Sequence, residues 1–125
     1  MIKEINFNFD EEEIKMVKAA KEILQSIKTP SSSDLVIDTS TNKIGILADD
    51  NVIMPLNARF KVDTHCWLPH VHQLQRFLFD LHLLDPLEVV EVNIMYRTEF
   101  QFWLELFFER AFDLRWNGSE WIKAN

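Results

Sequence analysis

The chain has 125 residues, 47% hydrophobic, 12% aromatic and 26% charged, which suits one compact domain and excludes an intrinsically disordered tract. Its 13 basic and 20 acidic side chains give a net charge of −7, distributed as 8 against 11 in residues 1–63 and 5 against 9 in residues 64–125. That balance argues against nucleic acid and anionic lipid, whose binding draws on clustered Lys and Arg, and favours a basic protein partner; self-association is the other partnering considered, through exposed aromatics.

The lone cysteine, Cys66, has no intramolecular disulfide partner, and Met1-Ile2-Lys3-Glu4-Ile5 lacks the apolar core of a signal peptide. No run of about 18 uncharged apolar residues suggests a membrane span. A cytoplasmic setting is therefore expected. With two glycines in the chain, a glycine-rich phosphate loop is excluded.

In chain order, Ile5, Phe7 and Phe9 alternate with Glu4, Asn6 and Asn8, the period of a half-buried strand. A helix follows, with Asp10 as N-cap, Glu13 completing a capping box, and Glu11 and Glu12 where the helix dipole favours acids. Met16, Val17, Ala20, Ile23, Leu24 and Ile27 line one side of it, and Lys15, Lys18 and Lys21 fall on the solvated side. Thr29-Pro30 ends the helix. Short strands are predicted at Leu35–Asp38, Ile44–Ala48 and Val52–Leu56, a meander whose third strand is an edge or stops at Pro55. A second helix is predicted from Leu68 to Leu84 on the stripe Val71, Leu74, Phe77, Leu78, Leu81 and Leu84.

Beyond Asp85-Pro86, alternation resumes through Val90, Val92, Ile94 and Tyr96, then through Phe100, Phe102, Leu104, Leu106 and Phe108. Two long strands are expected. The rival reading, a helix over 99–112 with Phe100, Trp103, Leu104, Phe107 and Ala111 inward, leaves Phe102 and Leu106 exposed, which counts against it. Asn117-Gly118 predicts a two-residue type I′ hairpin with Leu114 opposite Trp121 and Arg115 opposite Glu120. The fold expected is one α+β domain over residues 1–125, an antiparallel β-sheet with two α-helices packed on one face.

For chemistry, His65, Cys66, His70 and His72 form the densest group of potential ligands or catalytic side chains. Their spacing matches no paired zinc motif, so no metal or cofactor is expected, and no catalytic signature supports an enzyme. A small enzyme or ligand-binding domain built on those four residues is the alternative, and a structural homodimer is another. The preferred reading is an acidic protein-binding face. If the C-terminal strands hold, Glu91, Glu99, Glu105, Glu109 and Asp113 project from one side of the sheet with Trp103 and Phe107 among them. Acids steer and orient a basic partner, and large aromatics anchor it. An inhibitor or immunity-type antagonist of a basic enzyme such as a nuclease fits that description.

Overall fold

The computed structural model describes residues 9–49, 51–54, 58–84 and 98–124. The strands expected at residues 3–8 and 90–97 lie outside these. The chain is α+β with antiparallel pairing, and its contacts gather into two compact units, Met1–Pro69 and His70–Asn125.

The first unit opens with α1 (Glu11–Ala19) and α2 (Lys21–Ile27). The expected capping box is formed: Asp10 Oδ1 accepts from the Glu13 N–H at 2.8 Å, and Glu13 Oε1 accepts from the Asp10 N–H at 2.9 Å. One continuous helix was expected, but the backbone opens at Ala20 (φ −101°, ψ 11°). There the amide is shared between the Met16 and Val17 carbonyls, so the helix kinks without losing that hydrogen bond. Met16, Val17, Ala20 and Leu24 are buried, as the apolar spacing requires.

Five strands follow: β1 (Leu35–Asp38), β2 (Ile44–Leu47), β3 (Val52–Met54), β4 (Ala58–Arg59) and β5 (His65–Leu68), ordered β4-β3-β2-β1-β5. The meander is as expected, with β3 described to Met54 and Pro55 outside the described residues; β3 is not an edge strand, because it pairs with β2 on one side and β4 on the other. The chain then crosses to the far side of β1, where β5 pairs Leu35 with Leu68, Val36 with Trp67, Ile37 with Cys66 and Asp38 with His65. Leu68 was expected to open a helix; instead it closes this strand. All four β5 residues are buried, so the strand carries no polar alternation to mark it. α2 packs on β5, with Gln25 Nε2 donating to the Val62 carbonyl at 2.8 Å. Lys28 Nζ lies 2.9 Å from Asp34 Oδ2 and 5.9 Å from the Trp67 ring centroid, tying the end of α2 to the sheet.

The second unit holds α3 (Val71–Asp80), α4 (Glu99–Phe112) and the hairpin β6 (Leu114–Trp116) with β7 (Trp121–Lys123). α3 buries Leu74 and Leu78 and packs along α4, but it ends at Asp80 rather than at the expected Leu84, and Leu81 of the expected stripe is exposed. Thus four helices are present among the described residues, with α2 on the first unit's sheet and α3 against α4.

Residues 99–112 are helical, and this corrects the expected strand. Helical period buries Phe100, Trp103, Leu104, Phe107 and Phe108 together and leaves Phe102 and Leu106 half-buried rather than fully exposed. The objection to a helix therefore fails. The hairpin register also differs: Trp116 pairs with Trp121, Arg115 with Ile122 and Leu114 with Lys123, around a four-residue loop. Asn117 Oδ1 accepts from the Ser119 and Glu120 amides at 2.9 and 2.8 Å, so the side chain closes the turn and only Gly118 needs positive φ (103°).

Gly45 on β2 is where the sheet admits no side chain. A Cβ there would collide with Ile53 Cγ2 and lie 2.8 Å from the Met54 carbonyl oxygen, beside the Val36, Leu47 and Ile53 cluster. Gly45→Ala should lower stability by about 1–3 kcal/mol through overpacking, read as a lower denaturant midpoint with an unchanged slope.

Candidate functional site

The acidic residues singled out from the sequence converge on α4. Its start is set by Thr98, whose hydroxyl accepts from the Gln101 N–H at 3.2 Å while Gln101 Oε1 accepts from the Thr98 N–H at 2.9 Å. Its end is set by Asp113 in the left-handed conformation (φ 57°), whose amide donates to the Glu109 carbonyl at 3.1 Å. Thr98-x-x-Gln101 is thus a local helix-start signal that the alternation of the run obscured.

Along the helix, 100° per residue brings Glu99, Phe102, Glu105, Leu106 and Glu109 onto one side. Glu99 and Glu109 are exposed, and Glu105, Phe102 and Leu106 are half-buried. Asp113 is exposed just past the end, and Glu91 lies outside the described residues. The acids therefore remain neighbours, but the aromatics expected among them do not. Trp103 is 7% exposed and Phe107 0%, both on the opposite, buried side. Phe102, which strand alternation had turned inward, takes the outward place, its ring 5.4 Å from that of Trp103 in an edge-to-face contact.

The inward side is an aromatic cluster. Phe107 contacts Phe77 of α3 at 6.1 Å and Phe112 at 5.9 Å between centroids, and Phe108 contacts Trp121 of β7 at 4.4 Å. Arg110 Nη1 donates to the Leu83 carbonyl at 2.8 Å, so the one cation of the helix is engaged with the chain following α3. The outward side carries three glutamates and no basic residue.

The histidine and cysteine group does not form one centre within either unit. His65 and Cys66 lie on β5 of the first unit, with side chains on opposite sheet faces, and exposed His70 and His72 begin α3 of the second. Among the described residues no three His, Cys, Asp or Glu side chains are grouped so as to hold a metal. Burial pushes the Cys66 thiol up to about 12 against a smaller opposing effect of Lys21, so it stays protonated at neutral pH and is not an activated nucleophile.

His65 is a buried structural residue. Its Nδ1 lies 2.8 Å from the Lys61 amide nitrogen, and its Nε2 lies 3.8 Å from Asp38 Oδ2 across the β1–β5 pair. Its ring stacks on Phe60 at 5.7 Å. The Ser40 hydroxyl, donating at 2.6 Å, is the main influence holding the Asp38 carboxyl below its ordinary value; the Ser40 and Thr41 backbone and His65 add to it, and together they outweigh burial.

Comparison of the chain with protein-family models, with curated proteins and with solved structures finds no match. Function must accordingly be argued from the site. No helix among the described residues is long and apolar enough to cross a membrane.

Two outcomes check this geometry. Trp103→Ala should cost about 3–5 kcal/mol of stability as a truncated core aromatic, whereas Phe102→Ala should cost clearly less, measured by denaturant midpoints. Asp38 has a folded value below its unfolded one, so its contribution to stability is present above the ordinary 3.8 and is lost as pH falls through the lowered value. Asp38→Asn should therefore lower the melting temperature at neutral pH, and the gap from the parent should shrink in acid.

Proposed function

We propose that this chain is a small acidic protein-binding module that docks a basic protein on the outward side of α4. The observation that carries the reading is Phe102 and Leu106, half-exposed on one helix side and framed by exposed Glu99 and Glu109 with Glu105 between them. An apolar centre ringed by charge is the arrangement in which a few desolvated side chains supply affinity while the rim sets orientation and association rate. The net charge of −7 adds long-range attraction for a basic surface. A basic enzyme such as a nuclease, with this chain as its inhibitor or immunity-type antagonist, is the form of partner this charge suits.

Self-association through the same helix is less favoured, because a second copy would bring glutamates against glutamates. The buried Cys66 thiol gives no support to the enzyme alternative.

Affinity capture from native cells with the immobilised chain, followed by identification of what is retained, supplies the partner. Glu99→Lys with Glu109→Lys should then slow association and flatten its salt dependence, while Phe102→Ala should speed dissociation about tenfold. Both variants should stay folded, as these side chains point outward. Binding kinetics indifferent to both changes would remove α4 as the docking face.

A further inference from the structure

The turn between β4 and β5, residues 60–64, has no part in the α4 reading. It carries Val62, which at 64% is the most exposed large apolar side chain among the described residues. We propose that this turn is a rigid docking knob for a second protein, one that offers Val62 an apolar pocket with a carboxylate on the side meeting Lys61 and a cation on the side meeting Asp63.

One exposed valine is ordinary on a protein surface, but the backbone beneath this one is held throughout. Each carbonyl from Lys61 to His65 is engaged. The Lys61 carbonyl accepts from the Thr64 and His65 amides at 3.2 and 2.8 Å. From α2, Gln25 Nε2 donates to the Val62 carbonyl at 2.8 Å and to that of His65 at 3.3 Å, and Lys21 Nζ donates to the Asp63 carbonyl. The Thr39 amide and hydroxyl donate to the Thr64 carbonyl at 2.8 and 3.1 Å. Where the turn begins, the Phe60 amide donates to the Asn51 carbonyl at 2.8 Å, and the Phe60 side chain packs on the Val36, Leu47 and Ile53 cluster. A turn so braced has little conformational freedom left to lose on binding, and that loss is what weakens contacts made by loose loops.

The bracing uses the backbone and leaves the outward side chains to a partner. Lys61, Val62 and Asp63 are all exposed, and neither charged residue is ion-paired among the described residues. Opposite charges on the two sides of an apolar tip favour a partner that presents the reverse order and disfavour the same partner turned end for end. A phosphate-bearing surface fits less well, because Asp63 would meet like charge. A second copy presents the reverse order across a two-fold axis, but two tips meeting give neither valine a pocket and bury little area. The knob belongs to the first unit and does not depend on the α4 reading.

The test immobilises four forms of the full chain, the parent, Val62→Asp, Lys61→Glu, and Glu99→Lys with Glu109→Lys, and exposes each to the same native cell extract. A partner of the knob is retained by the parent and by the α4 variant and is lost with Val62→Asp. For that protein, once purified, Val62→Asp should weaken binding about a hundredfold and Lys61→Glu should slow association. Gln25→Ala, which leaves residues 61–63 unchanged, should weaken binding about threefold and speed hydrogen exchange at the Thr64 and His65 amides. Val62→Asp and Lys61→Glu should keep the parent's other amide signals, because both side chains are exposed. No protein whose retention depends on Val62, binding indifferent to Lys61→Glu, or a parent dimer that Val62→Asp breaks would each overturn the proposal.

Discussion

Phe107 and Phe108, neighbours on α4 and both fully buried, reach Phe77 on α3, Phe112 near the helix end and Trp121 on β7, so one turn of helix joins the described parts of the second unit. The arrangement is possible only with helical period. In a strand these adjacent residues would face opposite sides and could not enter one cluster. The helix also satisfies its own backbone groups while its apolar side is dry, which a strand in that position could do only with paired neighbours. The outward acidic side follows from the same choice: burying five large side chains on one side turns Glu99, Glu105 and Glu109 to the other.

In the first unit the corresponding role falls to β1, which is paired on both edges and nearly all buried. Its partner β5 brings His65 beside Asp38 and sends Cys66 to the opposite face toward α2, where its sulfur lies 4.0 Å from the Lys21 carbonyl. His65 and Cys66, neighbours in the sequence cluster of potential ligands, are thereby separated by the pleat of the strand. Adjacent side chains on a strand point to opposite faces, so neighbours in sequence are poor candidates for one site. What His65 does instead is hold the Lys61 turn through Nδ1 and face Asp38 through Nε2.

The two units carry surfaces of different character. The second presents glutamates around Phe102 and Leu106, and the first presents exposed Lys15 and Lys18 beside half-buried Ile14. The net charge of −7 agrees in sign with the α4 side but does not say where along the chain the lysines gather. Binding responds to the local field, which short-range screening isolates from distant charges.

The sequence by itself determined those features whose physics is local. The Asp10 and Glu13 capping box, the β1 to β3 meander and the inward Leu74 and Leu78 of α3 each depend on residues within a few positions of one another. The acidic members of the α4 face were legible as residues, but their setting was not. Over residues 99–112 an aromatic-rich run fits both periods, and only the Thr98 and Gln101 cap and the partners Phe77 and Trp121, distant in sequence, favour the helix. β5 was hidden because a strand buried on both faces shows no alternation, and its pairing with β1 spans about thirty residues. The hairpin register turned on one side chain, Asn117, closing a four-residue loop where its backbone alone suggested two. Tertiary structure decided these points because each depends on which distant surface a segment buries, and periodicity within the segment carries no record of that surface.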